Sequence, residues 1–243
     1  MDPESPLFRT RIVLSRTSHP GNIGAAARAM KTMGFAHLTL VQPRHFPDSD
    51  ATAMAAGAAD VLEGARVVVS LEAALADCTL AVGFSARPRD LSHAPRHLRD
   101  AAGAILEATA QGCVALVFGN ETSGLSNEEL LRCQRLVTIP SNPDYGSLNL
   151  AAAVQVTCYE LATSAALHDS PVGGTGTAAT GDDLRGLFEH LEASVTESGY
   201  LDAAKPGRFM ERMRRLFART GLEREEVKLI RGMLAAFEKA MKR

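Results

Sequence analysis

Three short polar clusters carry the residues best suited to chemistry. The first, S-H-P-G-N-I-G-A-A-A-R at 18–28, joins an apolar run to an alanine-rich helical pattern. Gly21 and Gly24 would let the backbone turn and approach a ligand, and helix-starting amides would receive an anion. Asn22 adds a side-chain amide, and Arg28 a fixed cation suited to phosphate, with an ordinary surface arginine as the plainer alternative. The second cluster, V-F-G-N-E-T-S-G-L-S at 117–126, spells a strand end, a glycine turn and a helix start. Its Glu121 can accept hydrogen bonds from a substrate or from Arg28. The third, I-P-S-N-P-D-Y-G-S-L-N-L-A at 139–151, sets Ser147 and Asn149 at the head of a long apolar helix, where Ser147 would serve equally well as a cap. None of the three is a G-x-G-x-x-G or Walker A motif, which disfavours ordinary dinucleotide or nucleoside-triphosphate binding.

The elements that must position these clusters alternate. Short β-branched or apolar runs at 11–14, 38–41, 67–70, 80–84, 114–118 and 136–139 are separated by helical patterns at 23–33, 71–76, 95–110 and 148–167. That alternation predicts an α/β fold, a mainly parallel sheet flanked by helices, with ligand loops at the carboxyl ends of its strands. Ser126 and Glu129 form a capping signature, so a helix should begin just after the second cluster. Between 168 and 181 the sequence turns to Gly, Thr and Ala and predicts a flexible connector. Beyond it only helical stripes remain: Leu184, Leu187, Phe188 and Leu191, then Val227, Ile230, Leu234, Phe237 and Met241. Pro206 suits the start of a middle helix, and Thr220 with Glu223 would cap the last one. The expected division is a main domain at 1–167, a linker at 168–181 and a small helical C-terminal extension at 182–243. An extension of ~60 residues is marginal alone and should pack on the main domain or on a partner chain.

Bulk properties narrow the class. The 243 residues are 46% hydrophobic and 22% charged, with a net charge of −2, as in a packed soluble protein. The start, M-D-P-E-S-P-L-F, has neither a basic nor an apolar run, and no stretch reaches the ~18 apolar residues of a membrane span, so a cytoplasmic protein with no membrane contact is expected. Cys78, Cys113, Cys133 and Cys158 lack C-x-x-C spacing and predict free buried thiols, not a zinc site or a disulfide framework. His93 and His97 stand at i, i+4 without H-E-x-x-H around them, so no metal is expected. Charge is uneven: between 205 and 219, Lys205, Arg208, Arg212, Arg214, Arg215 and Arg219 face only Glu211. A second stretch carries Arg87, Arg89, Arg96 and Arg99 against Asp90 and Asp100. Concentrated positive charge in a mildly acidic chain suits phosphate contacts, with a solvated helix face as the alternative.

Taken together, N-I-G-A-A-A-R, F-G-N-E-T-S-G-L and I-P…S-L-N-L-A, in this order, resemble the three motifs of the SPOUT class of RNA methyltransferases, in its ribose 2′-O-methylating branch. The longer wording I-P-S-N-P-D-Y-G-S-L-N-L-A-A-A-V-Q, with V-G-F-S-A-R and the arginine-rich tail, looks most like the tRNA cytidine/uridine-32 2′-O-methyltransferases. The resemblance covers essentially the whole chain, most closely from 11 to 161. It implies a C-terminal trefoil knot in the main domain, a homodimer whose active sites draw on both protomers, and tRNA, through its anticodon stem-loop, as substrate. It also implies S-adenosylmethionine as methyl donor, leaving S-adenosylhomocysteine as product. Carried over residue by residue, the cofactor site would comprise Phe84, Ser85, Ala86, Gly119, Glu121, Ile139, Gly146, Ser147 and Leu148.

For catalysis the resemblance nominates Arg28, with Asn22, Glu121, Ser147 and Asn149 in support. An arginine cannot serve as a literal base at ordinary pH, because guanidinium stays protonated. The expectation is that Arg28 grips a substrate phosphate and stabilises the developing 2′-oxyanion, while the proton leaves through phosphate or water. Arg28, Arg87, Arg89, Arg96, Arg208, Arg212, Arg215 and Arg219 are the expected RNA contacts. Two rivals remain at this stage: a knotted RNA-binding protein that no longer methylates, and a nicotinamide-dependent oxidoreductase, which would need the phosphate fingerprint this sequence lacks.

Overall fold

The computed structural model describes residues 5–86, 95–167, 177–202, 208–219 and 221–241. Seven strands form one sheet: β1 (Thr10–Ser15), β2 (His37–Val41), β3 (Arg66–Val68), β4 (Cys78–Phe84), β5 (Arg96–His97), β6 (Cys113–Phe118) and β7 (Arg135–Thr138). They lie in the order β3-β2-β1-β6-β4-β7-β5, and every pairing is parallel. Ten helices accompany them among the described residues: α1 (Pro20–Thr32), α2 (Ser49–Ala55), α3 (Ala59–Glu63), α4 (Leu71–Leu75), α5 (Leu98–Ala108), α6 (Asn127–Leu131), α7 (Leu150–Leu167), α8 (Gly181–Glu197), α9 (Phe209–Ala218) and α10 (Arg224–Met241).

Alternation along each strand fills both faces of the sheet. Ile12, Leu14, Val82, Phe84, Val114, Leu116 and Phe118 point to a layer shared with α1, α5 and α7. Val13, Ala81, Ala115 and Val117 point the other way, against Leu71, Leu75, Leu125 and Leu130. A parallel sheet buried on both sides needs such two-faced apolar strands. Strand order also decides where ligands gather. β1, β6, β4 and β7 are consecutive neighbours in the sheet, so the loops leaving their carboxyl ends meet at one edge although they are distant in sequence.

Several local expectations are corrected. The pattern at 95–110 is not helical from its start: Arg96 and His97 pair with Val137 and Thr138 as the short strand β5, and α5 begins at Leu98. The pair α2 and α3, absent from the sequence expectation, covers the outer side of α1. Strand β3 ends at Val68, and Ser70, expected in the strand, instead caps α4 by accepting from the Ala73 amide.

In the tail, Thr180 and Asp183 form a reciprocal capping box at the start of α8, a signature missed in the sequence. Leu187 and Val227 bury together between α8 and α10. Of the connector at 168–181, residues 168–176 lie outside the described residues. The remainder belongs to the tail: Ala178 bridges Glu223, and the Arg224 amide donates to the Thr177 carbonyl at 2.8 Å. The tail docks on the sheet through α8, whose Asp182 amide donates to the Ala76 carbonyl at 3.1 Å. The approach is close enough that a Cβ at Gly181 would lie 2.4 Å from the Leu75 carbonyl oxygen. Lys205, Pro206 and Thr220 lie outside the described residues.

Candidate active site

The first cluster leaves β1, the second leaves β6 and the third follows β7. Their convergence is held by a continuous chain of hydrogen bonds centred on Glu121. Its carboxylate accepts from the Ser18 amide (3.0 Å) and hydroxyl (2.8 Å), from the His19 amide (3.2 Å) and from the Asn22 side-chain amide (2.9 Å). Asn22 then accepts, through its Oδ1, from the Asn149 side-chain amide at 3.0 Å. Asn149 Oδ1 in turn accepts from the amides of Ala151 (2.9 Å) and Ala152 (3.4 Å). One carboxylate and two asparagines thus join all three clusters.

This network sets the charge of Glu121. Burial would raise its carboxyl, but the hydrogen bonds from Asn22 and from the Ser18 amide outweigh that cost and hold it down to about 2. It is an anion at any ordinary pH, with its oxygens already engaged by donors from the loop between β1 and α1 and from α1 itself.

The second loop is shaped by its own sequence. Asn120 Oδ1 accepts from the Thr122 amide (3.0 Å), the Ser123 amide (2.7 Å) and the Ser123 hydroxyl (3.1 Å), folding the loop back on itself. The return runs so close that a Cβ at Gly119 would sit 2.0 Å from the carbonyl carbon of Gly124, which itself has φ +68°. Both glycines are therefore required by the turn. The expected capping box forms in full: Ser126 and Glu129 bond reciprocally, and Glu129 also accepts from the Ser15 hydroxyl, tying α6 to the end of β1.

Beside this network lies a cavity of ≈ 130 Å³. Phe84, Ser85, Ala86, Gly119, Glu121, Ile139, Gly146, Ser147 and Leu148 all line it, which brings every expected cofactor residue to one place. Phe84 and Phe118 stack at its wall with ring centroids 4.4 Å apart. Asn120 and the loop residues after Glu121 also line it, singled out in the sequence only as part of the cluster, and Leu150 and Ala153 of α7 complete the lining.

Three expectations about individual residues change, at Gly24, at Glu121 and at the cap of α7. Gly24 does not face a ligand: a Cβ there would lie 2.0 Å from the Ala51 carbonyl oxygen, so its role is the close packing of α1 on α2. Glu121 accepts from Ser18, His19 and Asn22, not from Arg28. Arg28 is exposed on α1, outside the cavity lining. The cap of α7 is Asn149, which lies just ahead of the helix instead of inside its first turn, and Ser147 is left exposed at the cavity.

On the tail, Arg208, Arg212, Arg215 and Arg219 fall at spacings of four, three and four and are all exposed, Arg212 and Arg215 on α9 and Arg208 and Arg219 flanking its two ends. Arg208 pairs with Glu211 at 3.2 Å. Arg214 turns inward instead, its guanidinium 4.6 Å above the Phe188 ring. Arg96 is exposed on β5. Arg87, Arg89 and His93 lie outside the described residues. Of the thiols, Cys78, Cys133 and Cys158 are buried and Cys113 is only half-buried, so the expectation of four buried thiols fails at one position.

Residues 9–159 match the SpoU rRNA Methylase family, and 182–243 match the family described as tRNA methyltransferase TrmJ, C-terminal domain. The chain is 47% identical to the tRNA (cytidine/uridine/adenosine-2′-O-)-methyltransferase TrmJ of Pseudomonas aeruginosa, over 96% of this chain and 95% of that one. Among solved structures it is similar to TrmJ from Z. mobilis, with a TM-score of 0.83 and 31% identity over 94% of this chain and 99% of the other. It is also similar to the SpoU methyltransferase AviRb from Streptomyces viridochromogenes in complex with the cofactor AdoMet. There the TM-score is 0.51 and the identity 26%, over 65% of this chain and 60% of that one.

Proposed function

The chain belongs to the TrmJ family of tRNA 2′-O-methyltransferases, within the SpoU methylases, and on that footing we propose that it methylates the ribose 2′-hydroxyl of cytidine or uridine at position 32 of the tRNA anticodon loop. The observation that carries the proposal is the hydrogen-bonded chain from Glu121 through Asn22 to Asn149, which ties three sequence-distant loops together beside one cavity that the second and third of them line. The Pseudomonas aeruginosa relative is named for adenosine as well, so a purine at the same position is a natural second substrate.

Family membership implies S-adenosylmethionine as cofactor. The cavity suits it: Phe84, Phe118, Ile139 and Leu148 offer apolar walls for an adenine ring, the backbone around Gly119 and Gly146 offers polar groups, and ionised Glu121 suits a cationic ligand. When bound, S-adenosylmethionine supplies an electrophilic methyl group on a sulfonium and leaves as S-adenosylhomocysteine. The chain's own work is positioning and electrostatics. Glu121 fixes the first and second loops and is a positioning residue, since its oxygens are taken by Ser18, His19 and Asn22. Arg28 grips a substrate phosphate with its planar fork and stabilises charge on the 2′-oxygen, with the proton leaving through phosphate or water. Ser147, exposed at the cavity, contacts the ribose or the cofactor.

A homodimer accounts for Arg28. It is exposed and stands outside its own protomer's cavity, while α7 is apolar on nearly all sides and leaves Tyr159 54% exposed, as a helix with a further partner would. The active site then draws on two protomers, each with the trefoil knot of its class. The division we propose is a methyltransferase domain at 1–167, a connector beginning at 168, and a tRNA-binding extension at 182–243 with which 177–181 pack and whose arginine face along α9 meets phosphates away from the target nucleotide. Among the described residues no helix is long and apolar enough to cross a membrane, in keeping with a cytoplasmic enzyme acting on tRNA.

The test is nucleoside mass spectrometry of tRNA incubated with the protein and isotope-labelled S-adenosylmethionine. Label in 2′-O-methylcytidine or 2′-O-methyluridine, lost when position 32 is replaced by a 2′-deoxynucleotide, is the expected result. No label in any 2′-O-methylnucleoside would overturn the proposal.

A further inference from the structure

Far from the cavity, at the opposite end of the same two strands, sits a second arrangement of reactive groups. Cys78 opens β4 and Cys113 opens β6, and their Cα atoms are direct partners in the parallel ladder, next to an irregularity in register between Cys78 and Leu80. Their sulfurs are 3.3 Å apart. Adjacent strands lie ~4.8 Å apart, inside the ~4.4–6.8 Å range of Cα separations that a disulfide spans, so a bond of ~2.05 Å needs the sulfurs to close by only ~1.2 Å.

The surroundings favour reaction at one of the two. Arg11 places a guanidinium nitrogen 3.3 Å from the Cys78 sulfur and is held there by Asp77 (both bonds 2.7 Å) and by the Ala74 carbonyl (2.9 Å). A fixed cation beside a thiol pair favours the thiolate. The hydrogen bond from Cys78 lowers the pKa of Cys113, which is also the half-buried and reachable member. Cys133 and Cys158 are buried, no second thiol is paired with either among the described residues, and burial alone or chiefly pushes them up, Cys133 to about 12. The chemistry is confined to one pair of four thiols.

We propose that Cys78 and Cys113 form an oxidation site that takes a hydroperoxide and closes to an intramolecular disulfide. The Cys113 thiolate attacks one oxygen of the peroxide, the O–O bond breaks, and the leaving oxygen takes up the thiol's proton to depart as water or an alcohol. Cys113 is then a sulfenic acid. The Cys78 sulfur attacks it, the S–S bond forms, and the sulfenic oxygen leaves as water carrying the Cys78 proton. Two electrons pass from the two thiols to the peroxide. The bond would staple β4 to β6 at their starts, beneath the strand ends that carry Phe84 and Phe118 to the cavity. Cys78 also lines a second cavity of ≈ 450 Å³, between the sheet and the tail helices α8 and α9, so the staple would lie under the tail's docking surface as well.

The full-length, fully reduced protein is treated with hydrogen peroxide, unfolded, alkylated and mass-mapped, in parallel with Cys78→Ser and Cys113→Ser, whose melting curves verify folding. The expected result is the loss of two alkylation sites and one linked peptide pair containing Cys78 and Cys113, reversed by dithiothreitol. Cys78→Ser should leave Cys113 as a sulfenic acid trapped by dimedone, and Cys113→Ser should leave Cys78 unreacted. Four alkylated thiols after treatment, a link through Cys133 or Cys158, or oxidation of Cys113 to sulfinic acid without a link in the unsubstituted protein would each overturn the proposal.

Discussion

The side-chain amide of Asn149 donates to Oδ1 of Asn22 at 3.0 Å, across 127 residues of chain. That bond joins the third cluster to the first, and because the other end of the Asn22 amide holds Glu121, it makes the three loops one mechanical unit. Asn22→Ala and Asn149→Ala should each lower methyl transfer by about 10-fold or more, and the double variant should be little worse than either single one. A double-mutant cycle on single-turnover rates measures this. Fully additive losses would mean the two asparagines act separately.

Glu121 links the same network to pH. Its carboxyl is held down to about 2 in the folded protein, below the ~4.3 of an unfolded chain. Its contribution to stability is therefore complete above about pH 4.3 and is lost as pH falls toward 2. After allowance for partial solvent exposure that contribution is about 1 kcal/mol. Urea melts between pH 3 and 7 should show Glu121→Gln less stable at neutral pH, with the gap closing on acidification. A gap that is constant with pH would show that the charge is not what the network holds.

Arg28 is exposed, so its substitution should leave the melting temperature unchanged. Arg28→Lys keeps the charge but loses the bidentate fork, and should lose most of the single-turnover rate, approaching Arg28→Ala. A lysine variant with nearly full rate would rule out the fork as the working feature.

Reversal of charge on α9, as Arg212→Glu with Arg215→Glu, should weaken tRNA binding and flatten its dependence on salt by about 1–2 in the slope of log K against log salt concentration. Titration of S-adenosylmethionine should be unaffected. Unchanged tRNA affinity would return this face to the role of a solvated surface.

Gly24 tests packing against ligand approach. A Cβ in Gly24→Ala would meet backbone at 2.0 Å, which neither α1 nor α2 can relieve by a rotamer change. The expected cost is about 2–4 kcal/mol, read as a lower melting temperature, with cofactor affinity of the folded fraction preserved. A variant of full stability and weakened cofactor binding would restore the ligand-facing role.

Much of this was legible in the sequence because the signals were local. Strand runs such as 80–84 and 114–118 are uniformly apolar since both faces of a parallel sheet are buried, and the Ser126 and Glu129 box needs only four residues to declare itself. The short strand β5 was hidden because a two-residue edge strand has no period to detect, and its pairing with Val137 and Thr138 is made elsewhere in the chain. The helices α2 and α3 were hidden by their brevity, and the close seat of α2 depends on the room Gly24 leaves on α1. The thiol pair was invisible for the same reason: 35 residues separate Cys78 from Cys113, and only the strand order makes them neighbours.

By itself the sequence determined the alternation of strands and helices, the turn chemistry of each cluster and, through the wording of the three clusters, the family. Only the tertiary structure decided who holds whom: that Glu121 is bound by Ser18 and Asn22 and not by Arg28, that Asn149 and not Ser147 caps α7, and that Arg214 turns in to Phe188 while its neighbours turn out. The physical reason is range. Caps and periodicities are settled within one or two turns of chain, whereas a hydrogen bond between residues a hundred positions apart exists only once β1, β6, β4 and β7 have been laid side by side.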